Sequence, residues 1–229
     1  MRTIRKLLVA ALMAGVIGLA GALWSSPWVM LRTIEVSGNH HALTAEVVAA
    51  SGLAPGARLS AVPPLRVQHR VEAVPWVRTA RVERVLPSKV RINVMERVPA
   101  AMVTAAGVTY LADREGIILE EGSGPYPTIT GLPLEAPNEG ERIGPSQFHE
   151  ALRIVDSLAP SVRSRLRSVV APTPNGITLE LAEGLAVLYG PAELLEEKNY
   201  ALVTLIQSGP PATSIDVRVP SRPSVRLRT

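Results

Sequence analysis

The sequence contains no cysteine and few aromatic residues: three Trp, four Tyr and one Phe among 229 residues. A chain without cysteine has no disulfide, no thiolate metal ligand and no cysteine nucleophile. Because rings are so scarce, the core must be built from Val, Leu, Ile and Ala, and a surface that stacks rings on nucleic-acid bases is disfavoured. At 47% hydrophobic residues the chain is too apolar to be disordered, and its length suits one large or two small domains.

Motifs for catalysis and metal binding are lacking as well. The four histidines (His40, His41, His69 and His149) include no pair at metal-ligand spacing beside a carboxylate, and neither a nucleophile elbow nor a hydroxyl–lysine dyad occurs. The carboxylate pairs Asp113/Glu115 and Glu120/Glu121 lie at or beside predicted turns, where such residues are typical of hairpins. The sequence therefore predicts no catalytic residue, no metal ligand and no cofactor.

The net charge of +4 comes from the two ends of the chain. Arg2, Arg5 and Lys6 precede the first acidic residue, and four arginines against one aspartate occupy the last fourteen positions. Between these ends the body carries a slight acidic excess. A basic stripe on the folded part is therefore not expected, and nucleic acid is excluded as a partner.

The long hydrophobic run is local too. Residues 7–24 carry no charge and, as a helix, would extend about 27 Å, close to the thickness of a bilayer's hydrocarbon core. Trp24 and Trp28 flank its end, as is typical of a membrane interface. The basic residues within 1–6 predict a cytoplasmic N-terminus. Residues 7–24 are therefore predicted to form a transmembrane helix in contact with lipid, and the residues after them are predicted to be extracytoplasmic.

Two questions about residues 7–24 are left open by the sequence. Ala20-Gly21-Ala22 resembles a signal-peptidase site, so that a cleaved signal peptide competes with a retained anchor. Small residues also recur every four positions and share one helix face, which allows another transmembrane helix to approach, although plain Ala/Gly richness gives the same stripe. These residues are Ala10, Ala14, Gly18 and Ala22.

The residues after the hydrophobic run predict an α+β fold in two parts. Residues 31–98 give the order β-α-α-β-β: a strand at 31–37, helices beginning near Thr44 and Pro63, and an alternating hairpin at 77–98. Residues 99–219 read as a mixed, β-rich domain with two helices, the second beginning at Pro191.

The last predicted strand is Ser214–Val219, followed by a tail at 220–229 that contains proline and arginine. Since Pro220 and Pro223 are confined to strand ends and sheet edges, this strand is expected to terminate a sheet. Its free edge could accept a strand from another chain, or the tail could cover it.

Many short motifs, in order, resemble the bacterial cell-division family FtsQ/DivIB. The most specific is Pro75-Trp76-Val77 followed by the alternating hairpin and Glu96-Arg97. The other matching motifs are Ile34 to Asn39, Leu43-Thr44, Ser51-Gly52-Leu53, Asp113 with Gly116, Gly131-Leu132, Lys198 and Ile215 to Arg218.

The resemblance implies a POTRA domain at 31–98, an FtsQ-type β domain at 99–219, and a non-enzymatic scaffold at the division septum of the inner membrane. It also implies binding to FtsB- and FtsL-like proteins, with other divisome proteins on the POTRA domain. Strand addition by an FtsB-like partner would then use Ser214, Ile215, Asp216, Val217, Arg218, Val219, Ser221 and Arg222. An anchored cell-wall hydrolase, or another envelope enzyme with a dispersed site, is the alternative.

Overall fold

The computed structural model describes residues 11–18, 21, 29–209 and 211–228. The chain divides into two compact units, with the boundary between Glu96 and Arg97.

Residues 11–18 form a helix with exposed side chains, which includes Ala14 and Gly18. No helix in the described part of the chain is both long and apolar enough to cross a membrane. The predicted span at 7–24 extends past the described residues at both ends, and the transmembrane helix stays a prediction. Three residues predicted to set the membrane orientation (Arg2, Arg5 and Lys6) and half of the small-residue stripe (Ala10 and Ala22) lie outside the described residues.

The first unit has the predicted order β-α-α-β-β. Its elements are β1 (Thr33–Ser37), α1 (Thr44–Ser51), a 3-10 helix (Leu59–Ala61), α2 (Pro64–Val71), β2 (Val77–Val85) and β3 (Lys89–Glu96). The strands form one sheet in the order β1-β3-β2, in which β3 is parallel to β1 and antiparallel to β2. The predicted three-stranded sheet with two helices is therefore confirmed.

Alternation along β2 and β3 explains how this sheet meets the helices. Val82 lies opposite Ile92, and Ala80 opposite Val94, and all four side chains are buried. The intervening arginines of both strands are exposed. Period-two alternation leaves one face of a sheet for the core and one for water. The core face packs against buried valines of the helices, Val47 of α1 and Val67 and Val71 of α2.

Glu96 holds the loop before α1 in place. Its Oε1 accepts hydrogen bonds from the backbone N–H groups of His40 (2.7 Å), His41 (2.9 Å) and Ala42 (2.8 Å). The His41 ring also stacks on Trp76, with 4.4 Å between ring centroids. Burial favours a raised pKa for Glu96, but the hydrogen bonds from Ala42, His40 and His41 outweigh it and hold the pKa below the ordinary 4.5.

The second unit contains one sheet of nine strands. The strands are β4 (Pro99–Ala105), β5 (Val108–Asp113), β6 (Ile118–Glu121), β7 (Thr128–Thr130), β8 (Leu166–Val170), β9 (Thr178–Leu181), β10 (Ala186–Leu188), β11 (Ala212–Asp216) and β12 (Ser224–Leu227). Their order across the sheet is β12-β11-β10-β9-β8-β7-β4-β5-β6.

One row of apolar side chains crosses eight of these strands. Each member lies directly opposite the next, and all are buried except the partly buried residue on β12. From β12 to β5 the row runs Val225, Ile215, Val187, Leu179, Val169, Ile129, Val103 and Tyr110. The row lies on the core side of the sheet.

Three α-helices and a 3-10 helix (Ala182–Gly184) complete the described part of the second unit. The α-helices are α3 (Gln147–Ser157), α4 (Pro160–Arg163) and α5 (Leu195–Ser208). Phe148, Leu152 and Val155 of α3 join the same core as Leu202 of α5. The second predicted helix begins four residues later than expected, because Leu194 adopts a left-handed backbone (φ 48°) that interrupts the turn after Pro191.

Candidate protein-interaction site

The prediction that Ser214–Val219 is the terminal strand of the sheet is wrong. β11 ends at Asp216, and it is paired on both sides, in parallel with β10 and antiparallel with β12. β12 is formed by the tail, which returns along β11 after a turn at 219–222. The tail therefore covers the edge of β11, which was the second of the two alternatives left open by the sequence.

The free edge of the sheet belongs to β12, which has no further strand neighbour in the described part of the chain. The N–H of Arg228 donates to the carbonyl of Pro211 at 3.0 Å, and the hydroxyl of Thr213 donates to the carbonyl of Arg226. Since backbone groups alternate in direction along a strand, Arg226 also faces β11. The N–H and C=O groups of Val225 and Leu227 therefore point outward.

The opposite edge of the same sheet is covered where β6 begins. Ile118 of β6 donates its N–H to the carbonyl of Glu141 (2.9 Å) and accepts the N–H of Gly140 (2.8 Å). Ile117 forms an isolated bridge with Arg142. Edge strands that are left unpaired are open to pairing with another chain. Among the described residues, no comparable backbone contact covers the outward groups of β12.

An apolar groove of about 680 Å³ lies beside β12. Tyr200, Ala201 and Leu205 of α5 form one wall, and Pro220 and Pro223 of the turn before β12 form the other. Tyr200 is 77% exposed. Pro223 and Val225 are two residues apart in extended chain and share a face of the strand, so the groove adjoins the open end of the apolar row.

The eight residues predicted to bind a partner lie in different places: in β11, directly after it, and in the turn before β12. Ser214, Ile215 and Asp216 lie in β11, one strand away from the edge, and Val217 is fully buried. The Arg218 guanidinium binds both carboxylate oxygens of Asp216 and holds its pKa below the ordinary value. Three of the eight lie in the turn that leads to the free edge: Val219, which is 57% exposed, Ser221 and Arg222.

β12 is not among the strands predicted from the sequence. Residues 224–227 alternate Ser, Val, Arg and Leu, which is a strand pattern, but four residues are too few to outweigh two preceding prolines. Val225 packs against the core, while Arg226 is exposed and Leu227 is 52% exposed. The one available signal was this short alternation.

A buried lysine anchors the helix that walls the groove. Lys198 is 1% exposed, and its Nζ donates to the carbonyl of Pro191 at 2.8 Å and lies 5.2 Å from the centre of the Tyr189 ring. Burial lowers the pKa of Lys198 and raises the pKa of Tyr189 to about 12. The tyrosine hydroxyl donates to Asn199.

Clustered carboxylates serve structural roles. Asp113 accepts hydrogen bonds from the N–H groups of Glu115 (2.9 Å) and Ile117 (2.8 Å) and from the guanidinium of Arg97 (2.7 Å), which also contacts Glu115. This is the hairpin role predicted from the sequence. Among the described residues, no group of three or more His, Asp or Glu side chains is placed to hold a metal ion.

Two family models match consecutive parts of the chain. Residues 29–97 match "POTRA domain, FtsQ-type", and residues 100–218 match "Cell division protein FtsQ/DivIB, C-terminal". With the strand orders described above, these matches define a protein that joins a POTRA domain to an FtsQ-type β domain.

Curated relatives extend the similarity over nearly the whole chain. The cell division protein FtsQ of Mycolicibacterium smegmatis is 33% identical over 227 residues, which cover 98% of this chain and 66% of the relative. FtsQ of Mycobacterium tuberculosis H37Rv is 32% identical (98% and 70%), and FtsQ of Streptomyces collinus is 31% identical (97% and 88%). The chain thus spans about two thirds of the mycobacterial relatives. It belongs to the FtsQ/DivIB family of cell division proteins.

Proposed function

We propose that this chain is a non-enzymatic scaffold of the divisome that binds FtsB- and FtsL-like proteins, and that an FtsB-like segment adds a strand to β12. The observation that carries the proposal is the free edge of β12, where the backbone groups of Val225 and Leu227 point outward. Strand addition satisfies such groups with main-chain hydrogen bonds, while side-chain pockets give specificity.

The apolar row supports an expectation for the partner's sequence. A strand added to β12 places one residue directly opposite Val225, on the core side of the sheet and next to the groove. An apolar side chain at that position would extend the row by one member and contact Tyr200 and Leu205. The turn residues Val219, Ser221 and Arg222 would flank the partner, whereas Ser214–Asp216 would lie one strand away.

The test is a matched pair of substitutions at one edge position. Leu227→Pro removes an outward N–H and places a ring where the partner's backbone would lie, whereas Leu227→Ala keeps the N–H and shortens only the side chain. We expect Leu227→Pro to weaken binding of the extracytoplasmic segment of the FtsB homologue at least about tenfold more than Leu227→Ala. Calorimetry with the full chain measures both affinities.

Two further results complete this experiment. Hydrogen exchange at the β11 amides of both variants should match the parent, since neither substitution removes a bond between β11 and β12. Equal affinities for Leu227→Pro and Leu227→Ala, in folded proteins, would show that the partner does not use this edge.

We further propose that residues 7–24 anchor the chain in the inner membrane at the septum, with Arg2, Arg5 and Lys6 on the cytoplasmic side and the small-residue stripe available to another helix. The POTRA domain would be free to bind other divisome proteins. Because the chain has no cysteine, single cysteines report topology directly. A membrane-impermeant maleimide applied to spheroplasts should label Ser221→Cys and leave Thr3→Cys unlabelled; the reverse pattern would contradict this orientation.

A further inference from the structure

The free edge of β12 is suited to pair with a second copy of itself. Val225 and Leu227 are β-forming, apolar residues, and their outward backbone groups could bind an identical strand. In an antiparallel pair of β12 strands, one register alone pairs all four outward residues. In that register Val225 of each copy lies opposite Leu227 of the other, and the two-fold axis passes between the two Arg226 residues.

This register brings like charges together. Residues directly opposite in an antiparallel pair have Cβ atoms about 4.5–5.5 Å apart and project on the same face. Each Arg226 would thus face the Arg226 of the other copy. No hydrogen bond or ion pair of the Arg226 guanidinium with another described residue offsets its charge, and its strand neighbour on β11 is the uncharged Ser214.

The charges around Arg226 do not relieve this repulsion. The nearby arginines are Arg222 and Arg228, the latter bonded through its guanidinium to the carbonyl of Glu183. The carboxylate in reach on β11, that of Asp216, is already held by Arg218. A charged residue in the middle of an exposed edge strand is a recognised way to prevent edge-to-edge association.

We propose that Arg226 is a specificity determinant of the β12 edge: it excludes a second copy of this chain and keeps the edge available to a different strand. The proposal concerns the same edge as the proposed function, but it rests on the register and charge of β12 alone. Its test uses no divisome partner, so either proposal can fail while the other holds.

The experiment measures self-association of the full chain in mild detergent by sedimentation velocity over a range of protein concentrations. Arg226→Thr replaces the charge with a β-forming hydroxyl side chain, and its dimerisation should be at least about fivefold stronger than that of the parent. Added salt should strengthen dimerisation of the parent, because it screens the repulsion, and should leave Arg226→Thr unchanged.

A charge swap gives a second, independent measurement. At low salt, parent and Arg226→Glu should each dimerise only weakly, since both repel their own copy, whereas an equimolar mixture places Arg opposite Glu and should form a heterodimer more strongly than either protein pairs with itself. Hydrogen exchange at the amides of Val225 and Leu227 should slow in the mixture only, which locates the contact at this edge.

Arg167→Thr is the matched control, because it removes an exposed arginine of the same unit from β8, which lies four strands away from β12. It should behave like the parent. Monomeric Arg226→Thr at every salt concentration together with no heterodimer in the mixture would overturn the proposal. Equal dimerisation of Arg167→Thr and Arg226→Thr would overturn it as well, since total charge and not position would then control association.

Discussion

The backbone N–H of Val217 donates to the carbonyl of Leu188 at 3.0 Å, one residue past the end of β11. The Val217 side chain is fully buried in the core of the second unit. The chain is therefore still part of the sheet at this point, although the exposed turn begins only two residues later.

Val217→Pro should for this reason unfold the sheet locally and not merely alter an edge. The substitution removes the bond to Leu188 and disturbs a packed position, and we expect a loss of about 3 kcal/mol or more in the free energy of unfolding. Val217→Ala keeps the N–H and should lose less. Urea denaturation of the two variants separates the backbone from the packing contribution; equal losses would mean that the N–H contributes little.

Lys198→Met tests the buried lysine beneath α5. Methionine preserves much of the stem but leaves the Pro191 carbonyl without its donor, so we expect destabilisation of about 1–3 kcal/mol. Glu196→Gln, on the exposed side of the same helix, should stay within about 0.5 kcal/mol of the parent. A stability of Lys198→Met equal to that of Glu196→Gln, measured by urea denaturation, would contradict an anchoring role.

Asp113→Asn tests the carboxylate that organises the 113–117 turn. The side chains of Asp113 and Arg97 are only 6% and 12% exposed, and the substitution leaves the guanidinium of Arg97 without its nearest counter-charge. Breaking one side of a largely buried ion pair should cost about 2–4 kcal/mol, moderated here by the remaining contact with Glu115. Glu115→Gln, at a 39% exposed side chain, should cost under about 1 kcal/mol.

The pH dependence of the first unit should report on Glu96. Its pKa is lower in the folded state than the ordinary 4.5, so the unfolded state binds the proton more readily. The stabilisation is therefore complete above about pH 4.5 and is lost as the pH falls through the folded-state pKa. Between pH 7 and pH 3, the melting temperature of Glu96→Gln should therefore fall less than that of the parent. The melting temperature of Glu46→Gln, an exposed substitution on α1, should fall as much as that of the parent.

The architecture of the first unit followed from sequence because its signals are local. Val82, Ile92 and their buried neighbours alternate with residues that are mostly charged or polar over two long strands, and this pattern is typical of a half-buried hairpin. The parallel pairing of β1 with β3 is a long-range contact that no local pattern in the sequence predicts.

In the second unit the sequence predicted a β-rich domain with two helices but did not predict α4, β8 or β12. α4 and β8 are short, and β12 is shorter still and follows Pro220 and Pro223, so that local patterns were too weak to reveal them. β12 forms because of tertiary contacts: Val225 continues the apolar row, whose other members come from seven different strands. The edge strand of the sheet could therefore not be predicted from any short segment of the sequence.

The length of β12 also limits how long a strand could stay bound to it through backbone hydrogen bonds alone. Two outward residues offer four hydrogen bonds at most, which at about 1 kcal/mol each correspond to a Kd near 1 mM. With an ordinary association rate constant of about 10⁶ M⁻¹s⁻¹, a complex held by the backbone alone would dissociate within about a millisecond. If a partner strand binds this edge as proposed, its residence time would therefore be governed by the side chain placed beside Tyr200, and a single substitution there would change the lifetime of the complex while leaving its geometry intact.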